Sequence, residues 1–314
     1  MASGEDRPTI SAIVPAYNAE RFIADAVRSV LGQSIPVIEC VVVDDGSGDR
    51  TAEVAETFGP PVVVVRQENR GVSGARNRGV TASRGQLLAF LDADDSWHPT
   101  RLERQLNALA SSPAHEAVVC GTRMVDAHGA ELGKIVPDAD VTVERLLLWE
   151  STTVSASSNV LVKREAFEAV GGFDESLSTS ADWALAFRLV ERAPLLTVEE
   201  PLVDYRVHGA NMSSDVRRFE RDMLHAYDRV FADAGPSIAS LRRRAYATLH
   251  RTIAGSYFVE RRLGGFARHA VRSVVFHPST LPYFLGLPAR RIRRRLRGER
   301  DPLTNLRASG TPRG

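Results

Sequence analysis

Between Thr9 and Asp92 short apolar runs alternate with amphipathic ones, and this alternation narrows the possible folds more than any other feature of the chain. Residues 10–14, 38–43, 61–65 and 86–91 read as buried strands, bounded by polar or glycine-containing stretches. Residues 19–31, with Phe22, Ile23, Ala26, Val27 and Val30 at helical spacing, read as a helix that Asn18 is placed to cap. Two more helices are expected, one from Ser47 or Asp49 to about Phe58 and one from about Ser73 to Ser83. Strands separated by helices fold into a mostly parallel, right-handed α/β sheet. Such sheets bind ligands beyond the carboxyl ends of their strands. Tyr17, Asp44, Asp45 and the run Asp92-Ala93-Asp94-Asp95 all fall at those ends, so one edge of the sheet collects them.

The acidic run ends the fourth strand. Residues two apart on a strand point the same way, so Asp92 and Asp94 can face one pocket while Asp95 turns aside. Converging carboxylates repel unless a cation or hydrogen-bond donors lie between them. Oxygen ligands of this kind suit Mg²⁺ or Mn²⁺, which also accept phosphate oxygens. That points to metal-assisted chemistry on a nucleotide; the plainer alternative is a strand end whose aspartates cap the next helix.

Composition sets few limits. The 314 residues are 43% hydrophobic and 25% charged, with a formal net charge of +1, which is ordinary for a globular chain. The positive charge is almost all arginine, since Lys134 and Lys163 are the only lysines, and it crowds the last quarter. Cys40 and Cys120 lie in apolar runs and read as buried core residues of a reducing compartment, and no Cys/His spacing suits zinc. Residues 1–8 are polar, lack a signal-peptide core and are expected to be disordered. No apolar run is long enough for a bilayer, so a cytoplasmic chain, soluble or peripheral at the inner face of the membrane, is expected.

Farther on, residues 99–110 read as a helix, 117–120 as a strand, His128-Gly129 as a turn and 143–149 as helical. Residues 159–162 look extended, 181–192 helical, and 195–205 form two short strands. After residue 215 the chain becomes helical and Arg-rich, giving a catalytic domain over 9–215, a helical extension over 216–297 and a disordered tail over 298–314.

Six pieces stand in order: Pro15-Ala16-Tyr17-Asn18; Val43-Asp44-Asp45-Gly46-Ser47; Gly71 through Ala75-Arg76-Asn77-Arg78-Gly79; Asp92-Ala93-Asp94-Asp95; Gly171-Gly172-Phe173-Asp174 with Ala181-Asp182-Trp183; and Tyr205-Arg206-Val207-His208. In this order and spacing the chain resembles the family 2 inverting glycosyltransferases of GT-A fold, over about residues 9–215. The resemblance implies an α/β Rossmann-like core with an α-helical C-terminal extension. It implies transfer of a sugar from a nucleotide-diphosphate sugar to an acceptor hydroxyl, in polysaccharide or glycolipid assembly. A flat Tyr17 can stack on a base, and Asp44 or Asp45 can accept a hydrogen bond from a base imide or ribose hydroxyl. The resemblance places Pro15, Tyr17, Asn18, Asp44, Asp45, Arg76 and Asp92 around the nucleotide sugar, preferring Arg76 over Arg78. It gives Asp94 to an Mg²⁺ or Mn²⁺ ion, with His208 near the diphosphate as a further ligand. Asp182 becomes the base that inversion requires; as an isolated residue it reads as a helix N-cap. The chain departs from the family pattern at Ala181 and Ala184, where acids are common, which leaves open a nucleotide-sugar-binding protein with weak or no transferase activity. A nucleotidyltransferase is a further alternative, but it would want a Gly-rich basic loop after the first strand. The donor favoured by the resemblance is a UDP- or dTDP-sugar, with GDP-mannose still open.

In the extension, an apolar stretch broken by Pro278, Pro282 and Pro288 precedes Arg290, Arg291, Arg293, Arg294, Arg295 and Arg297. An apolar edge beside an arginine cluster suits an anionic membrane surface, which a lipid-linked acceptor would make sensible; it also suits RNA or a solvated tail, the commonest role of such clusters. No nucleic-acid partner is expected.

Overall fold

The computed structural model describes residues 7–150, 157–208 and 215–286. Along the chain the elements are β1 (Ile10–Ala16), α1 (Ile23–Leu31), β2 (Glu39–Asp44), α2 (Thr51–Glu56), β3 (Val62–Arg66), α3 (Gly71–Thr81), β4 (Leu87–Phe90), β5 (Ser96–Trp97) and α4 (Arg101–Ser111). There follow β6 (Ala117–Val125), β7 (Glu131–Ile135), α5 (Val143–Leu147), β8 (Val160–Lys163), α6 (Arg164–Ala169), α7 (Ala181–Val190) and β9 (Leu196–Arg206). Four helices come last: α8 (Val216–Ala232), α9 (Pro236–Val259), α10 (Leu263–Phe276) and α11 (Leu281–Leu285). The chain divides into one unit of residues 1–125, 134–142 and 152–206 and a second of residues 126–133, 143–151 and 207–314. The N-terminal six residues and the tail beyond 286, with its arginine run, lie outside the described residues.

The first unit is a mixed α/β sheet of strand order β3-β2-β1-β4-β8-β6-β9-β5, with β7 beside β6. β1, β2, β3 and β4 are parallel, as the alternation predicts, and β8 runs antiparallel between β4 and β6. β1 and β2 are buried along their whole length, which explains why they read as continuous apolar runs with no alternation. The amphipathic α1 buries Ile23, Ala26, Val27 and Val30 against this sheet. Cys40 and Cys120 are buried free thiols. Residues 195–205 form one long strand where two short ones were expected, because β9 stays beside β6 through register shifts at Gly121.

α3 carries several candidate residues, and a single glycine sets its distance from the sheet. A Cβ at Gly79 would fall well inside contact distance of Ile13 Cγ2 and 3.2 Å from Val43 Cγ2. A Gly79→Val substitution must therefore push α3 off β1 and β2, a forced overpacking that costs about 1–3 kcal/mol. A lowered urea midpoint with an unchanged slope is the expected result.

The second unit is helical. Asp215 caps α8, accepting from the Arg217 and Arg218 amides at 3.0 and 3.2 Å. Tyr227 is fully buried, donates to the Leu147 carbonyl at 2.8 Å and accepts from Trp149 Nε1 at 2.9 Å. α9 and α10 pack together, with Ser273 donating to the Ala247 carbonyl at 2.7 Å.

Candidate active site

The ends of β1 and β2 lie side by side, Ala16 opposite Asp44, with the Asp45 amide donating to the Ala16 carbonyl at 2.8 Å. Beyond β1 the chain turns at Asn18, whose φ of 49° is left-handed. Asn18 does not cap α1, which begins at Ile23 without a side-chain cap. Instead its amide donates to Ser47 Oγ at 3.0 Å, and its Oδ1 accepts from the Gly48 amide at 2.8 Å, stapling the two loops together. Tyr17 stands at this edge 55% exposed, so it is not a core tyrosine. Pro15 lies buried within β1, opposite Val43.

The two neighbouring aspartates differ in their commitments. Both are buried. Asp45 Oδ1 accepts from Gln67 Nε2 at 2.7 Å and from the Arg70 amide at 2.8 Å, fixing the approach to α3. Asp44 Oδ1 accepts only a long bond, 3.3 Å, from the Ser47 amide. Gly46 between these loops has φ 77°, and a Cβ there would sit 3.0 Å from the Asn69 nitrogen.

Arg76 joins the sheet edge to the downstream motif. It is 4% exposed, donates from Nη2 to Asp92 Oδ1 at 2.6 Å, and lies over the Phe173 ring at 5.0 Å. Arg78, by contrast, is exposed. The loop at 171–177 brings α7 to the same place. Asn77 accepts from the Phe173 amide and donates to its carbonyl, both at 2.9 Å. From α7, Arg188 donates to the Val170 and Gly172 carbonyls, both at 2.6 Å. Gly171 and Gly172 have φ of 77° and 69°, which lets the loop turn between these two clamps.

Asp182 is not the N-cap expected of it: Ser180 holds that position, and Asp182 lies two residues on, in the first turn of α7. Its Oδ1 accepts from the Trp183 amide at 2.8 Å. Burial pushes its carboxyl up to about 6, opposed by the positive charge of Arg76 and reinforced by the negative charge of Asp92. The structure thus gathers Arg76, Asp92 and Asp182 around one point. A narrow apolar cleft opens beside Asp182, walled by Val119, Phe173, Leu185 and Leu189.

The acidic run does not end the strand as expected: β4 stops at Phe90, and residues 92–95 form a turn in which the Asp95 amide donates to the Asp92 carbonyl at 3.0 Å. Asp95 turns inward and is buried, its Oδ2 accepting from Ser158 Oγ at 2.6 Å and its Oδ1 from the Arg206 amide at 3.0 Å. Burial, then the charges of Asp94 and Asp92, hold its carboxyl well above the usual range. Asp92 and Asp94 are half-buried on the other side. Their carboxylate oxygens are the hard donors that Mg²⁺ and Mn²⁺ prefer, and the electrostatic load on Asp95 is of the kind a cation relieves. Among the described residues no three His, Cys, Asp or Glu side chains form a metal cage. His208 is half-buried in the second unit, two residues past the end of β9.

The profile of glycosyl transferase family 2 matches residues 11–171, half of the chain. The chain belongs to this family. An uncharacterized glycosyltransferase of Rickettsia typhi is 30% identical over 211 residues, 66% of either chain. The uncharacterized glycosyltransferase EpsJ of Bacillus subtilis is 32% identical over 63% of this chain and 61% of its own length. The chain thus spans less than two thirds of the length of these relatives, and 36% of an uncharacterized glycosyltransferase of Rickettsia felis. Two solved structures share the GT-A architecture. S. aureus TarS 1-349 in complex with UDP-GlcNAc has TM-score 0.66 at 18% identity, covering 85% of this chain and 81% of that one. Mannosyltransferase PcManGT from Pyrobaculum calidifontis in complex with GDP-Man and Mn2+ has TM-score 0.62 at 20% identity, covering 97% and 85%.

Family 2 motifs led to the carboxylates and to Arg76, but not to the groups that hold them. Ser158 accepts from the Asp92 amide at 3.0 Å while donating to Asp95, so one hydroxyl fixes both ends of the acidic run. Arg206, inside the sixth motif, donates from Nε to the Asp94 carbonyl at 3.0 Å. The polar trio Ser157-Ser158-Asn159 ahead of an apolar strand was the available signal for Ser158. Ala181, where an acid is common in the family pattern, is buried here, and Ala184 is half-buried.

Proposed function

We propose that the chain transfers a glycosyl group, with inversion, from a nucleotide-diphosphate sugar to the hydroxyl of a saccharide or lipid-linked acceptor, in polysaccharide or glycolipid assembly. The observation that carries this reading is the Asp182 carboxyl, pushed up to about 6 and within electrostatic reach of Arg76 and Asp92. A base with a pKa near neutrality is well matched to an alcohol that loses its proton only as its oxygen attacks. Asp182 takes that proton, the acceptor oxygen bonds to the anomeric carbon from the face opposite the diphosphate, and the sugar–phosphate bond breaks. Tyr17 stacks on the base, Asp44 accepts from its imide or from the ribose, and Arg76 holds Asp92 ready for the ribose or a coordinated water. Asp94 is the proposed protein ligand of Mg²⁺ or Mn²⁺, whose charge balances the departing diphosphate. His208 joins that proposal on the sequence pattern alone.

The donor is proposed to be a UDP- or dTDP-sugar. A thermal-shift panel of UDP-, dTDP- and GDP-sugars, with and without Mn²⁺, tests the whole reading. Saturation near 100 times Kd stabilises a fold by about 2.7 kcal/mol, so the true donor stands out from the panel. Asp94→Asn should abolish the Mn²⁺-dependent increment and leave the metal-free shift. If no nucleotide sugar moves the midpoint under either condition, the donor assignment fails. No described helix is long and apolar enough to cross a membrane. Contact with an anionic membrane surface is proposed for the arginines at 290–297, on their sequence alone.

A further inference from the structure

The second unit holds a cavity of about 800 Å³ that uses none of the candidate donor-site residues. It lies between α8, the end of α9 and the start of α10, and Arg217, Arg221, Arg262 and Arg268 line it. Among the described lining residues Glu220 is the one carboxylate, and both of its oxygens are engaged. Oε1 accepts from Arg268 Nη2 at 2.8 Å and lies 3.1 Å from His269 Nε2; Oε2 accepts from the Tyr257 hydroxyl. Arg221 donates to Asp222 Oδ1 from Nε at 3.3 Å and from Nη2 at 3.2 Å, and Arg262 meets Glu260 through Nε at 3.1 Å; both guanidiniums are exposed and keep other N–H groups. Four guanidiniums with three carboxylates paired to them, Glu220, Asp222 and Glu260, leave the lining with an excess of one positive charge and with spare N–H groups.

The backbone adds to this charge. α10 begins at Leu263-Gly264-Gly265, its preceding residue Arg262 makes no side-chain cap, and its first turn carries no acid. The early amides of the helix therefore add partial positive charge beside the cavity that its first residues line. Gly265 is required by shape as well, because a Cβ there would collide with the Tyr257 ring that forms the cavity wall. The size lies within the range of small-molecule sites.

We infer that this arginine-lined cavity binds a phosphorylated anion. Guanidinium groups match phosphate oxygens two at a time, which four converging arginines can exploit. Two sources share that chemistry, a phospholipid-type headgroup and a soluble phosphate or diphosphate. Leu224 and the 65% exposed Leu263 border the arginines and give an alkyl chain a place to lie, which favours the lipid source. The inference does not depend on the donor site or on the transferase reading.

The full-length chain is titrated calorimetrically in EDTA with inorganic pyrophosphate and, separately, with monomeric dihexanoyl phosphatidic acid. Both should bind. The double variant Arg217→Ser/Arg262→Ser should weaken both at least about tenfold, the equivalent of one charge-assisted hydrogen bond. The Glu260 side chain beside Arg262 is only 8% exposed, so the double variant should melt lower, whereas Arg217→Ser alone, at an exposed side chain, should keep the wild-type midpoint and still weaken both probes. Tighter binding of the lipid than of pyrophosphate identifies a headgroup site; equal or weaker lipid binding identifies a soluble anion. Absence of binding by either probe, or equal binding by the wild-type and variant chains, overturns the inference. Nucleotide-sugar shifts in the same variant should match wild type, so a failure at this cavity is separable from a failure at the donor site.

Discussion

Asp182→Asn should lower kcat about 10³-fold while leaving the donor-induced thermal shift intact, within the 10²–10⁴ range that a positioned general base supplies. The substitution is nearly isosteric. Asn Oδ1 can still accept from the Trp183 amide, so the start of α7 is preserved. What is lost is the ability to take a proton. In the wild-type chain the carboxyl titrates at about 6, so the rate should fall as pH drops through that value, and the residual rate of the variant should lose this limb. Stability moves the other way. A carboxyl whose folded pKa exceeds its unfolded value of 3.8 stabilises the fold fully below 3.8 and loses that contribution as pH rises through about 6. At pH 7 the wild-type chain carries a desolvated, ionised Asp182, and the neutral Asn removes that burden. The Asn variant should therefore melt at a higher temperature than wild type at pH 7 and lose that advantage near pH 4. A variant that keeps wild-type turnover with its own acceptor would end the assignment of Asp182 as base.

The catalytic frame was largely legible in the sequence because its signals are local. Apolar runs gave β1, β2, β3 and β4, and the acids after β2 and β4 marked their shared edge; a turn past β4, not strand alternation, turns Asp95 inward. Asn77 reads from sequence as a buried polar bridge, but the partner it clamps, the Phe173 backbone 96 residues away, is not legible there. Arg188 reads as a surface charge and in fact holds the carbonyls of Val170 and Gly172. Side chain to backbone bonds of this kind have no periodicity and no sequence partner, since any carbonyl serves as acceptor. They nonetheless decide whether Asp182 lies near Arg76. Asn18 failed as a cap for a related reason: an Asn before a helical run fits capping and a left-handed turn equally well, and the partner loop at Ser47-Gly48 settled which one formed. Within the helical extension α10 has no amphipathic signature of its own, because its buried residues are few; His269 and Ser273 face inward while Leu263, Val271 and Val275 are exposed.

Arg76→Met should lower kcat/KM about 10²-fold, the loss typical of removing one aligned donor from a catalytic site, and should also move the acid limb of the rate profile upward. Arg76 is buried, its Nε has no hydrogen-bond partner, and its charge acts on both Asp92 and Asp182. Methionine matches the length of the stem and keeps contact with the Phe173 ring, so packing changes little. Electrostatics changes a great deal. Removal of the nearby cation takes away the one side-chain charge that lowers the Asp182 pKa, and the Asp92 carboxylate that raises it stays. An opposite charge at close range shifts a carboxyl by about one to three units, so the limb should move up by about one unit in this partly screened site. Arg76→Lys separates the two roles. Lysine retains the charge and should leave the limb near its wild-type position, but it lacks the planar fork that meets Asp92 at 2.6 Å, so kcat/KM should still fall. Equal limbs in wild-type, Met and Lys chains would mean that the titrating base is not the carboxyl beside Arg76, and the proton would then have to leave the acceptor by another route.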